Sequence, residues 1–128
     1  MAGAATVPRL NEKSQREVLA LAAFQAGDAV ACAIPNPFIT WALDNVDCPA
    51  GLRRALPVVK VAAAAGLLVG LRQPRLGRLT CRALQGYFVA ALGLHARSIP
   101  KHGAPVAALH AVPAAFMLAA STGVGRHF

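Results

Sequence analysis

Apolar residues fall into four runs, separated by short stretches that hold most of the charge, proline and polar turn residues. The first run covers residues 18–34, and Asp28 is the only charged residue between Glu17 and Asp44. Pro35-Asn36-Pro37 ends it, because proline lacks an amide hydrogen and disfavours helix in the residue before it. The second run covers 56–71 and has Pro57 in its first turn, where proline is tolerated, and Lys60 as its one charge. The third covers 81–94 and ends at His95-Ala96-Arg97; the fourth covers 104–120 and is interrupted only by His110. Residues 44–54 read as a loop, with Cys48-Pro49-Ala50-Gly51 as turn material.

A soluble bundle of such helices would show a polar face repeating every 3.6 residues. Residues 61–71 carry no polar side chain, so no water-facing stripe exists there. The pattern therefore predicts an all-α, integral membrane four-helix bundle with short transmembrane helices. At roughly 1.5 Å per residue, 17 residues reach only about 26 Å. Terminal cations such as Arg72 and Arg82 extend that length by snorkelling. The division expected is an N-terminal cytoplasmic segment (1–17), a transmembrane domain (18–120) and a cytoplasmic tail (121–128).

Composition strengthens this reading. Charged residues make up 14% of the 128 residues and hydrophobic ones 56%. Ordinary soluble domains carry about 25% charged residues, needed to cover a wet surface. Aromatics are scarce at 5%, and the apolar content is mostly Ala, Leu and Val, which suits closely approaching helices. The net charge of +8 raises nucleic-acid binding as a rival. Yet the cations punctuate the apolar runs rather than forming a face interleaved with aromatics, so no nucleic-acid partner is expected.

Loop charge predicts the orientation. Arg9, Lys13, Arg16, Arg72, Arg75, Arg78, Arg82 and Arg126 fall on one side, and Arg53, Arg54, Arg97 and Lys101 on the other. The positive-inside rule then places both termini in the cytoplasm. Phe38 and Trp41 follow the first run, where amphipathic rings favour the membrane interface.

Ionisable groups inside spans cost free energy and point to function. Under this topology Asp28 lies about 9 Å below the outer end of its helix, Lys60 about 6 Å and His110 about 9 Å, while His95 and Arg97 end the third helix on the same side. All four helices thus bring a polar group to the outer half. The expectation is an interior Asp28–Lys60 ion pair with His95 and His110 close by; its structural counterpart is a buried pair that only sets helix register. The spacings of His95, His102 and His110 match no zinc or haem motif, so no metal is expected. Cys32, Cys48 and Cys81 form no C-x-x-C pair, and no phosphate loop or catalytic constellation is present.

The segments Leu56-Pro57-Val58-Val59-Lys60, Gly66-Leu67-Leu68-Val69-Gly70-Leu71 and Gly86-Tyr87-Phe88-Val89-Ala90-Ala91-Leu92-Gly93-Leu94-His95-Ala96-Arg97 resemble the DoxX-like family of small four-helix bacterial membrane proteins. The resemblance covers roughly residues 18–120. It implies a bacterial inner-membrane location and marks Lys60, Tyr87, His95 and Arg97 as family-typical. With Asp28 and His110 these make up the expected intramembrane polar cluster. Some members are subunits of thiosulfate:quinone oxidoreductases, others belong to membrane redox complexes, and a distant animal branch assists receptor assembly. The resemblance therefore implies an accessory or structural subunit of a membrane complex, with lipid and other subunits as partners. Its alternative is a quinone-linked oxidoreductase subunit, with quinone as cofactor and His95, Arg97 and Asp28 around a polar pocket. A small proton-coupled transporter using Asp28 ranks third, since four short helices need a homo-oligomer for alternating access. Whether the chain is an enzyme is left open by these readings.

Overall fold

The computed structural model describes residues 10–34 and 36–128. The described residues form six helices and no strand: α1 (Glu12–Ala33), α2 (Pro37–Asn45), α3 (Ala50–Gly70), α4 (Pro74–Arg97), α5 (Ile99–His102) and α6 (Ala104–Gly125). Four are long. At 21 to 24 residues they exceed the expected spans, so the prediction of short helices is corrected. The added turns carry polar or charged residues that interrupt the apolar pattern but not the helical backbone. Asn11 caps α1 by accepting a hydrogen bond from the Ser14 amide at 2.8 Å, and Glu12 complements the positive helix end.

The expected 44–54 loop shrinks to a tight connection, because α2 runs to Asn45 and α3 starts at Ala50. Asn36 caps α2, accepting from the amides of Phe38 (3.0 Å) and Ile39 (3.3 Å), and Pro37 occupies the first turn. The same Asn-Pro pair that stops one helix therefore starts the next. Asp47 turns the chain with a φ of 53°, a left-handed conformation that aspartate tolerates better than most residues. Because α3 starts early, Pro57 lies inside it rather than in its first turn; Pro113 is likewise inside α6.

Helix α3 packs against α1 on one side and α4 on the other, and α6 packs along α4; α1 and α6 meet over a shorter stretch. The core is made of Val18, Leu21, Ala22, Ala63, Leu67, Cys81, Leu84, Phe88, Ala114, Met117 and Val124. Helices α3 and α4 come closest at Gly70 and Gly77: a Cβ built on Gly70 would lie 2.5 Å from the Gly77 Cα. The Phe128 ring covers Gly77, and Arg78 donates to the Phe128 backbone oxygen at 2.6 Å. Residues expected as a tail thus extend α6 to Gly125 and pack on α4.

Beside the apolar core several polar side chains are buried, and many large apolar ones face outward. Gln25, Lys60, His110 and Ser121 are buried, whereas Val58 (68% exposed), Val112 (65%), Leu79 (64%) and Phe116 (62%) face outward. Among the described residues, α6 alone is by length and composition long and apolar enough to cross a membrane, and α1 with α2 qualifies as a pair bent by 85°. Helix α3 is apolar over much of its length but carries Arg53, Arg54 and Lys60.

Candidate functional site: two polar clusters between the helices

Asp28 lies on α1 and Lys60 on α3, on faces that their helix packing turns together. A carboxylate oxygen of Asp28 lies 2.8 Å from the Lys60 ammonium. The lysine side chain is 5% exposed and the aspartate side chain 31%. The Lys60 Nζ also sits 4.6 Å from the centroid of the Tyr87 ring and 4.7 Å from that of Phe88. Those two α4 rings meet edge to face at 5.0 Å. One cation thus holds α1, α3 and α4 in register through an ion pair and two cation–π contacts.

The second cluster lies where α2, the end of α4 and the start of α6 meet. Buried His110 shares a hydrogen bond with Asn45 of α2, Nδ1 to Nδ2 at 2.9 Å. Trp41 lies edge-on to His110 at 4.3 Å and Phe38 at 5.3 Å. The His95 ring lies 6.1 Å from the His110 ring, tilted by 39°. Among the described residues, the buried nitrogens His95 Nδ1 and His110 Nε2 have no hydrogen-bond partner.

The six expected site residues therefore do not form one cluster. Asp28, Lys60 and Tyr87 come together, and His95 and His110 come together; no hydrogen bond or ion pair among the described residues joins the two groups. Arg97 belongs to neither. It is the last residue of α4 and is exposed. His102, in α5, is also exposed.

The connections at this end are tied by ion pairs. Arg53 meets Asp44 at 2.7 Å and donates to the Cys48 carbonyl at 2.8 Å. Lys101 meets Asp47 at 2.8 Å, and its hydrogen bond and charge hold the Asp47 carboxyl below its ordinary pKa. At the opposite end His127 bridges Ser14 (3.2 Å) and Glu17, joining α1 to the residues after α6. Between the ends, Gln25 Nε2 donates to the Met117 sulfur at 3.3 Å, while Gln25 Oε1 is buried without a partner among the described residues.

Sequence reasoning missed Asn45, Gln25, Ser14, Glu17 and His127. Gln25 was open to discovery, since it lies three residues before Asp28 and so on the same helix face. The pairing of Asn45 with His110 spans 65 residues and carries no local signal. Among the described residues, no three His, Cys, Asp or Glu side chains converge as a metal-binding group.

No curated protein and no solved structure matches the chain. The model of the DoxX-like family matches residues 18–122, a stretch that takes in α3 and α4, most of α1 and α6, and both polar clusters. Members of that family are membrane-associated, which agrees with the one clear span candidate in α6. The chain belongs to the DoxX-like family.

Proposed function

We propose that this chain is a four-helix integral membrane protein acting as an accessory or structural subunit of a membrane complex. The observation that carries the reading is the apolar perimeter, with exposed Phe24, Val58, Val61, Leu79, Val112 and Phe116 around an interior that takes in Gln25, Lys60, His110 and Ser121. In water that arrangement leaves large apolar side chains unsatisfied and charges desolvated. In lipid it is the favourable one, since polar groups turn inward to find partners.

Helix length supports the same reading. A helix of 22 residues reaches about 33 Å, enough for a hydrocarbon core of roughly 30 Å. Arg53, Arg54, Arg75, Arg78 and Arg97 sit toward helix ends, where long cationic side chains reach the interface. The end bearing Lys13, Arg16, Arg72, Arg75, Arg78 and Arg126 is the cytoplasmic one by the positive-inside rule. The His95–His110 cluster then lies toward the outward end, with the Lys60 cluster near mid-depth.

The interior ion pair and the Asn45–His110 bond serve register, leaving the apolar perimeter as the contact surface for lipid and neighbouring subunits. Native-membrane purification of the tagged chain after chemical crosslinking tests the role. A partner subunit recovered in constant ratio, and weakened by Val112→Trp or Phe116→Ala on the exposed face of α6, is the expected result. A chain that runs alone in every mild detergent contradicts it. Quinone recovered in constant ratio to the chain from the same preparation would favour the quinone-linked alternative.

A further inference from the structure

We infer that α3 and α4 hold one anionic phospholipid of the cytoplasmic leaflet, with its phosphate at Arg75 and Arg82 and one acyl chain in the groove between the two helices. The inference rests on the membrane reading above and adds to it the chemistry of one lipid position. The groove follows from how the helices meet. They touch at Gly70 and Gly77, and one turn along α3 Gly66 leaves room for the Thr80 side chain. Beyond that contact they enclose a trough of about 370 Å³, lined by Val59, Ala62, Ala63, Leu79, Ala83 and Tyr87 among others. Ala62 and Ala83 are exposed and too small to close it. The Thr80 hydroxyl already donates to the Leu76 carbonyl at 2.8 Å, so the wall there offers a ligand no free donor. From Leu79 to Tyr87 the trough runs about 12 Å at 1.5 Å per residue, and one leaflet of a roughly 30 Å hydrocarbon core is about 15 Å deep. Its length and apolar lining suit a single acyl chain.

Charge selects the headgroup. No Asp or Glu follows Asp47 in the sequence, so α3, α4 and α6 carry no carboxylate. Among the described residues the ion pairs fall on Arg53, Lys60, Lys101 and His127, and none on Arg75 or Arg82. Arg78 is engaged differently, donating from two nitrogens to the Phe128 backbone oxygen at 3.2 and 2.6 Å. Arg75 and Arg82 are both exposed and stand two turns apart on one face of α4, with exposed Leu79 between them at the rim of the trough. Helical side chains lean toward the N-terminus of their helix, which for α4 is its cytoplasmic end. Arg82 therefore leans back toward Arg75 and the headgroup layer. Arg75 also lies in the first turn of α4, which has no acidic residue and no side-chain cap, and there the helix dipole favours an anion. Arg75, Arg78 and Arg82 follow one another at three- and four-residue spacing, so they repel. A phosphodiester beside them offsets that repulsion and accepts guanidinium hydrogen bonds. A zwitterionic headgroup brings its own cation and offsets less.

The test places a fluorescent reporter at the rim of the trough. Leu79→Trp is made in the full chain with Trp41→Phe, which removes the one native tryptophan; Leu79 is 64% exposed, so the indole is tolerated. The chain is reconstituted in phosphatidylcholine vesicles containing increasing amounts of bromine-labelled phosphatidylglycerol or bromine-labelled phosphatidylcholine, whose bromines quench an indole they touch. Phosphatidylglycerol should be preferred at this position about 5- to 30-fold, as one or two arginine contacts imply. A second reporter, Val112→Trp on exposed α6, should be quenched equally by both lipids. Arg75→Gln/Arg82→Gln should abolish the preference, Ala83→Leu should weaken it by narrowing the trough, and Arg54→Gln at the other end should leave it unchanged. Should the double variant fail to fold, Arg75→Gln and Arg82→Gln alone decide, each with part of the preference lost. Equal quenching by both lipids at Leu79→Trp, with Val112→Trp responding normally, would overturn the lipid site and leave the membrane reading standing. No quenching at either reporter would overturn both. A preference that survives Arg75→Gln/Arg82→Gln, or that excess glycerol phosphate removes, also overturns the site as assigned.

Discussion

Replacing Asp28 with asparagine strands the Lys60 ammonium in an interior where its side chain is 5% exposed. At 2.8 Å and an effective dielectric near 20, the two charges attract by roughly 6 kcal/mol before desolvation is subtracted. Removing one partner of a buried pair generally costs about 3–5 kcal/mol, mostly as the penalty of the orphaned charge. Asp28 is partly exposed, and an asparagine carbonyl can still accept one hydrogen bond from Lys60. Both facts place the expected loss at the lower end, about 3 kcal/mol. The contacts of Lys60 with Tyr87 and Phe88 persist in Asp28→Asn, each worth about 0.5–2 kcal/mol. Adding Lys60→Met removes the stranded charge and keeps an unbranched apolar chain beside those rings. The double variant should then recover to within about 1.5 kcal/mol of the parent. Reversible unfolding in mixed micelles, run as a double-mutant cycle, reads the coupling directly. A loss below about 0.5 kcal/mol for Asp28→Asn, or a double variant no better than the single, would refute an ion pair that fixes register.

Two other regions make separable predictions. Gly70→Ala forces a Cβ to within 2.5 Å of the Gly77 Cα and should cost about 1–3 kcal/mol, whereas Gly86→Ala, with nothing within 4 Å, should be neutral or stabilise by up to about 1 kcal/mol; thermal unfolding in detergent compares them. Asp47, held below its ordinary 3.8 by Lys101, is a depressed carboxyl, so the tie between α5 and the turn before α3 is intact above 3.8 and released as pH falls through the folded value. Carboxyl NMR should show Asp47 titrating below 3.8, and Lys101→Ala should return it to the ordinary value.

The four apolar runs were legible because stretches of this length with at most one charge each have few other uses in a chain so poor in charge. Helix ends were not. Ser14, Glu17, Arg75 and Arg78 resemble loop residues in composition, yet backbone hydrogen bonds within α1 and α4 continue past them. Helix α2 stayed hidden because Asn36-Pro37 carries a stop signal and a start signal in the same residues. The proximity of Asp28 to Lys60 matched the expectation from depth, but the depth itself was misjudged, since α3 starts at Ala50 and Lys60 lies midway along it. Depth also drew in Arg97, but the direction of its side chain depends on how α4 rotates against its neighbours, which packing decides. Asn45, hidden within an expected loop, gave no sign that it would orient His110.

The central claim is that lipid, not water, covers the apolar perimeter. Single nitroxide labels at Phe24, Val61, Val112 and Phe116, in a background without native cysteines and reconstituted in bilayers, test it most directly. Collision with oxygen and with a water-soluble nickel chelate would be compared at each site by EPR. The account predicts high oxygen and low nickel accessibility at all four positions, with the reverse at Lys101 in the α5 connection. High nickel accessibility at Val61 and Val112 would contradict it.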